Sequence, residues 1–179
     1  MFPVKHVVPI AATLLGFALV QGGCGYHAVY SGDPPRGTLS VAVAKSSIPD
    51  PEIVQEVLGG LRSELARSGV LRAGRAYPRL VLEVVRVDER GSGIAAAGDA
   101  PLARGSRVGV VARAWVEDRP GAPGRDTGDV RRTADSAAGP TALGDATRVR
   151  DALRSAARDA GRALAQRLLG QPAAAEEPL

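Results

Sequence analysis

Beyond residue 37, the hydrophobic positions repeat with two different periods, which predict strands and helices. Strict alternation over 38–44 predicts a half-buried strand. The aliphatic run that starts at Leu80 predicts a central strand extending to about Arg90, and alternation returns over 108–117. After the proline- and glycine-rich turn at 119–124, residues 127–137 predict a returning strand. The pattern therefore predicts four strands.

Two further stretches show the three-to-four-residue spacing of amphipathic helices. The first begins at Asp50, which is suited to cap the helix, with Pro51 at the first helical position, and it ends before Gly69. The second is expected to be capped by Asp145 and to run to about Leu169. The apolar stripe of the first helix consists of Ile53, Val57, Leu61 and Leu65.

The order β-α-β-β-β-α predicts an α/β fold. Two helices packed on one face of a four-stranded mixed sheet form a two-layer sandwich. We expect a single domain over 38–169, since a chain of this length buries enough surface for one core. The Ala-, Glu- and Pro-rich residues 170–179 are expected to form a disordered tail.

The N-terminal 23 residues have the pattern of an export signal. A short positive region with Lys5 precedes an uncharged apolar segment over 7–20, which is too short for a comfortable membrane-spanning helix. Small residues, Gly22 and Gly23, then precede Cys24. This pattern predicts cleavage before Cys24 by lipoprotein signal peptidase.

Cys24 is the single cysteine of the chain, and lipid attachment explains its presence in an exported protein. Gln21 departs from the aliphatic residue usual three positions before the cysteine. Gly25, rather than Asp, follows the cysteine, which predicts the outer membrane as the destination. A multiply acylated Cys24 would be a stable anchor in the periplasmic leaflet, and residues 24–37 would form the lipidated N-terminus and linker.

Composition and charge narrow the function. The formal net charge is only +4 and aromatic residues make up 3% of the chain, so stacking platforms for nucleic acid are missing and no nucleic-acid partner is expected. His27 is the one histidine outside the signal, beside the anchor. No catalytic set, metal cluster or phosphate loop can be assembled from the motifs. We therefore expect neither an enzyme nor a metal or cofactor.

Four arginines flank strand ends around one glycine- and alanine-rich loop. Arg86 and Arg90 end the second strand, while Arg104 and Arg107 lead into the third. If the two pairs converge, they would form an anion site for a lipid phosphate or a carboxylate. The alternative is a set of solvated strand ends that protect a sheet edge. The sequence leaves both open.

The third strand has a second face with a different composition. Val111, Arg113 and Trp115 lie opposite the Val/Ala row of this strand. Exposed Trp and Arg are enriched at the centres of protein interfaces, so this face is a candidate partner interface. The alternative is a tryptophan partly buried under the long loop.

The tetrapeptide Cys24-Gly25-Tyr26-His27 at the lipidation site resembles the start of the LptE family, and the predicted elements follow in that family's order. Ser46-Ser47 stands where a Thr often follows the first strand in the family. The resemblance implies a non-enzymatic outer-membrane lipoprotein that binds lipopolysaccharide and is the plug and chaperone of the large LptD barrel. The alternative is an accessory lipoprotein of another envelope system, such as a lipid ABC transporter or a peptidoglycan synthase.

Overall fold

The computed structural model describes residues 37–44, 48, 50–92, 105–137 and 141–171. All of its elements belong to one compact unit. In chain order these elements are β1 (Ser40–Val43), α1 (Pro51–Arg67), β2 (Arg79–Ser92), β3 (Gly105–Arg119), β4 (Ala122–Asp126), β5 (Val130–Ala137) and α2 (Ala142–Leu168).

The strands form one mixed sheet in which β3 has the most neighbours. β1 pairs with β2 in parallel, and β2 pairs with β3 as a long antiparallel hairpin. Both β4 and β5 pair antiparallel with β3, at different stretches of it. The described sheet therefore has five strands, and the expectation of four was wrong.

The missed strand is β4, which begins inside the segment 119–124 that was expected to be only a turn, whereas the returning strand expected over 127–137 is present as β5. The chain instead pairs with β3 as β4, breaks at Thr127–Asp129, and resumes as β5. The buried Thr127 bridges the break: its N–H donates to the Ala114 carbonyl, and its Oγ1 accepts from the Ala114 N–H, both at 2.9 Å. The Thr127 side chain thus accepts the hydrogen bond from β3 at the break between β4 and β5.

Both helices pack on one face of the sheet, so the predicted two-layer α/β arrangement is confirmed. The inward row of β3 is the predicted Val/Ala row, which faces the aliphatic residues of β2 and both helices. The fully buried large side chains include Leu39, Ile53, Leu61, Leu65, Leu80, Leu82, Leu164 and Leu168. The core consists of aliphatic side chains throughout.

The caps of the helices show how local sequence sets their ends. Asp50 accepts a hydrogen bond from the Glu52 N–H at 2.9 Å, and Gly69 adopts a φ of 69° after the helix, as the sequence predicted. The cap of α2 is Thr141, whose Oγ1 accepts from the Gly144 N–H at 3.1 Å. Asp145 lies within the first turn, so the expectation that it caps the helix was wrong.

The two helices approach each other closely along a seam that contains glycine from both. A Cβ atom on Gly161 would lie 2.7 Å from the Leu61 backbone nitrogen, and one on Gly60 would lie 2.9 Å from the Arg158 carbonyl carbon. Ion pairs flank this seam. The Glu52 carboxylate lies 3.0 Å from the Arg150 guanidinium and 2.6 Å from that of Arg154.

A β-bulge in β2 changes which residues face the helices. Val84 lies opposite Ala112, and Arg86 lies opposite Val111, so Val85 has no partner of its own in the ladder. The extra residue shifts the alternation by one. Val87 is therefore in register with the core residue Val110, and Arg86 is on the face away from the helices.

Several predictions concern parts of the chain outside the described residues. They are the signal over 1–23, the lipid attachment at Cys24, nearly all of the linker over 24–37, and the tail from Pro172 onward. Neither of the two described helices is long and apolar enough to cross a membrane.

Candidate functional site on the open face of the sheet

The face of the sheet away from the helices, here called the open face, carries ion pairs that join neighbouring strands and, between Arg131 of β5 and Asp88 of β2, one that spans β3. Each pair joins one arginine to one carboxylate, and the partners lie on β2, β3 and β5. The closest distances between charged groups run from 2.7 to 3.2 Å. The pairs are Arg79–Glu117, Arg113–Glu83, Arg131–Asp88 and Arg107–Asp135. The open face is thus polar and close to balanced in charge.

The candidate interface residues of β3 lie on this face but differ in exposure. Arg113 is exposed, with Nε 2.9 Å from Glu83 Oε2. Trp115 is half-buried, and its indole N–H donates to Glu117 Oε1 at 3.3 Å. Val111 is only 2% exposed, and its register partners on the same face are Arg86 of β2 and Arg131 of β5. The expectation that Val111 is presented outward was therefore wrong.

The hairpin brings three of the four predicted basic residues onto one face. Arg90 and Arg107 lie directly opposite each other in the β2–β3 register. Arg86 joins them on the open face, opposite Val111. Arg104 lies outside the described residues.

The three arginines differ in how their charge is balanced. Arg107 donates two hydrogen bonds to the Asp135 carboxylate, at 2.7 and 3.0 Å, and this lowers the pKa of Asp135 below its usual value. Arg86 lies 3.3 Å from Asp88, a carboxylate that Arg131 also approaches to 3.2 Å. Two guanidinium groups therefore share one carboxylate, which leaves one positive charge in excess. In the described part of the chain, no ion pair involves Arg90.

The groups on the open face are suited to binding anions. Arginine forks match the geometry of phosphate and carboxylate oxygens, and a partly balanced arginine keeps free N–H donors for them. In the described ranges, no group of three or more His, Cys, Asp or Glu side chains is placed to hold a metal ion. The arrangement supports recognition of anions and of a polar partner surface.

Sequence reasoning missed the carboxylates and one arginine of this face. Glu117, Asp135 and Arg131 were not singled out as functional residues, although all three contribute to its ion pairs. The signal that would have found them is the cross-strand register. An arginine and an acid placed directly opposite on adjacent strands, as in Arg79–Glu117 and Arg107–Asp135, form a stabilising pair, but the register has to be known first.

Comparison with known proteins gives a likeness in fold. No protein-family model and no curated protein matches the sequence. Among solved structures, a minor lipoprotein from Acinetobacter baumannii superposes with a TM-score of 0.53 at 12% identity, covering 76% of this chain and 93% of that one.

Two other solved lipoproteins match with lower scores. One is a putative lipoprotein from Caulobacter crescentus (TM-score 0.46, 18% identity, 73% of this chain and 86% of that one). The other is the rare lipoprotein B from Shewanella oneidensis (TM-score 0.46, 16% identity, 71% and 91%). At these identities the likeness concerns the fold alone, and the chain has the fold of the Acinetobacter minor lipoprotein.

Proposed function

We propose that this protein is an outer-membrane lipoprotein, anchored by Cys24 in the periplasmic leaflet, that assists lipopolysaccharide transport and assembly. It acts without catalysis, as the plug and chaperone of a large β-barrel. Its partners are that barrel and lipopolysaccharide.

One observation carries the proposal. The tetrapeptide Cys24-Gly25-Tyr26-His27, which resembles the start of the LptE family, precedes a domain with the element order β-α-β-β-β-β-α. That order, with both helices on one face of the sheet, belongs to a fold shared with a solved bacterial lipoprotein. Neither feature alone is specific, but their combination in one chain favours this role.

The open face is consistent with a position inside a barrel. The interiors of transmembrane barrels are polar, so a plug needs a surface whose charges are paired and hydrated. The interstrand ion pairs provide such a surface, and Arg113 and Trp115 are its candidate contact residues. The basic end of the same face, with Arg86, Arg90 and Arg107, is the candidate site for phosphates of lipopolysaccharide.

Co-purification tests the proposal against its alternatives. The full-length lipoprotein, extracted from membranes in mild detergent, should recover a large barrel protein in a one-to-one complex. Depletion of the lipoprotein should leave the barrel misassembled and trap lipopolysaccharide short of the cell surface. Recovery of only an inner-membrane transporter or a penicillin-binding protein would refute the proposal and favour an accessory role in another envelope system.

A matched pair of variants locates the interface. Arg113→Ala removes an exposed arginine from the open face, and Arg62→Ala removes an exposed arginine from α1. We expect only Arg113→Ala to lower the yield of the barrel complex. Equal yields for the two variants would place the contact elsewhere on the molecule.

A further inference from the structure

β1 forms one edge of the described sheet, and its outer side is only partly paired. Its inner side pairs in parallel with β2. On the outer side, just before β1, the Leu39 N–H donates to the Val70 carbonyl, and the Leu39 carbonyl accepts from the Arg72 N–H, both at 2.7 Å. In the described part of the chain, this outer ladder ends after that one residue.

The next main-chain groups of β1 point outward. The N–H groups of Ser40 and Ala44 donate to carbonyls on the β2 side, at 3.3 and 2.8 Å. Because successive residues of a strand point their N–H groups to opposite sides, those of Val41 and Val43 face the outer side. No main-chain acceptor among the described residues meets either of them. Val43 is 41% exposed, so this part of the edge is accessible.

A groove lies where the outer ladder would have continued. The chain turns away from β1 after Arg72, with Gly74 at a φ of 95°, in the left-handed region that favours glycine. The groove that remains has a volume of about 340 Å³ and reaches from α1 to β1. Its lining residues are Val41, Arg62, Leu71, Arg72, Ala73 and Gly74.

The charge of this groove is positive. Two of its lining residues are arginines and none is acidic. Arg62 is exposed, and among the described residues no ion pair involves Arg62 or Arg72. Arg72 donates from Nη2 to the carbonyls of Ala76 and Tyr77, both at 2.9 Å, but its buried Nε meets no acceptor in the described ranges. Because an unpaired buried donor is costly, the groove is suited to a carboxylate.

The combination of an open edge and positive charge selects the occupant. An extended polypeptide segment supplies the main-chain donors and acceptors that an open edge needs, and this addition of a strand is a general mode of peptide recognition. A second copy of β1 would supply the same main-chain groups. It would also bring Arg62 and Arg72 of both copies together, and like charges repel. A segment with carboxylates has the complementary charge.

We propose that an acidic, extended segment of a partner polypeptide other than the barrel adds to the outer edge of β1. Its main chain pairs with Val41 and Val43 and continues the ladder that starts at Leu39. One of its carboxylates accepts hydrogen bonds from Arg62 and from Nε of Arg72. The proposal is independent of the open face, because the added strand lies beside the sheet and leaves that face free.

Amide exchange, followed by NMR on the full-length lipoprotein in detergent micelles, tests the proposal. The probe is a short synthetic peptide in which valine and glutamate alternate. We expect it to slow exchange of the Val41 and Val43 N–H groups at least about tenfold, and to leave the N–H groups of Ala42 and Ala44, which face β2, unchanged. Protection of none of these amides, or equal protection of all of them, would overturn the proposal.

An N-methylated peptide separates strand addition from attraction between charges. Methyl groups on alternate amides of the same peptide, in both registers, block main-chain pairing and keep every carboxylate. We expect the affinity of the fluorescein-labelled peptide, measured by fluorescence anisotropy, to fall at least about tenfold on methylation. Equal affinities of the methylated and unmethylated peptides would overturn the proposal.

Two arginine substitutions provide a matched control for the charge. Arg62→Gln removes a charge from the groove, and Arg90→Gln removes an exposed charge from the open face. In the described part of the chain, neither arginine belongs to an ion pair. We expect R62Q to weaken binding of the acidic peptide at least about threefold and R90Q to leave it unchanged. Equal affinities of the two variants would overturn the proposal.

The same preparations exclude the other occupants and separate this proposal from the proposed function. Slow exchange of Val41 and Val43 without peptide would assign the edge to this chain itself in a monomer, or to a second copy in a dimer, and either result would overturn the proposal. Analytical ultracentrifugation distinguishes the two. Loss of barrel recovery in R62Q would assign the edge to the barrel and also overturn it. A wild-type protein that binds the peptide but recovers no barrel would refute the assembly role alone.

Discussion

The close contact between α1 and α2 at Gly161 makes a strong prediction for Gly161→Ala. A Cβ atom there would lie 2.7 Å from the Leu61 nitrogen, and closer still to the Val57 carbonyl oxygen, whereas ordinary contact begins at 3.4 Å. Both neighbours are backbone atoms of a helix, so they cannot rotate away. The helices must separate by roughly 1 Å, which weakens dispersion contacts along the whole seam.

The magnitude follows from a comparison with Gly59→Ala in α1. Gly59 is exposed, and a Cβ atom there would meet nothing within 4 Å. Both substitutions gain up to about 1 kcal/mol from the higher helix propensity of alanine. The difference between the free energies of unfolding of the two variants therefore gives the cost of overpacking at Gly161, about 1–3 kcal/mol. We expect Gly161→Ala to lie at the upper end of that range, because the clash involves backbone.

Urea unfolding followed by circular dichroism measures the difference. Gly59→Ala should raise the free energy of unfolding of the purified protein, and Gly161→Ala should lower it, with unchanged dependence on denaturant. In thermal unfolding, each kcal/mol should shift Tm by about 2–4 °C. If Gly161→Ala proved as stable as Gly59→Ala, the helices would not be in contact at this seam.

Substitutions at three other residues test separate parts of the protein. Thr127→Val removes the acceptor of the buried Ala114 N–H and should cost about 1–3 kcal/mol in urea unfolding, whereas Thr127→Ser, which keeps the hydroxyl, should cost less. The hydrogen bond from Arg158 lowers the pKa of Glu56 below its usual value of 4.5. The ion pair therefore stabilises the folded protein fully above about pH 4.5, and this stabilisation is lost as the pH falls further. Glu56→Gln should reduce the loss of folding stability between about pH 6 and about pH 3. Cys24→Ser should abolish incorporation of radioactive palmitate, and label that persists in this variant would contradict the anchor.

The elements with strong local signals were predictable from the sequence. The first helix has a capping aspartate, a proline at its first position and a four-residue apolar repeat, and all of these act within a few residues of each other. The strand β4 has no such signal. Its sequence, APGRD, contains Pro123 and Gly124 and buries no side chain, so its pairing with β3 depends on the backbone alone. Nothing in the alternation of its residues could indicate a strand.

The sequence predicted correctly only those residues of the candidate site that lie on a single strand. Arg113 and Trp115 share a face of β3 because of strict alternation, and the structure keeps them together. The position of Arg86 depends on the bulge, since an unbroken strand would have placed it on the same side as Leu82 and Val84, toward the helices. The choice between adding Val85 to the ladder and looping it out depends on the contacts that β2 makes with β3. Those contacts are not local in sequence.

The bulge also has a consequence for how this strand can change over generations. Without Val85, Leu80, Leu82, Val84 and Val87 occupy every second position of the strand and lie toward the helices. The strand therefore corresponds to a regular one with a single inserted codon, and the ladder absorbs the insertion without disturbing the pairing on either side. Val85 also lines a groove of about 440 Å³ at the start of α1, together with Ile53 and Leu153. Gain or loss of this one codon would thus add or remove a wall of the groove while the core of the sheet stays the same.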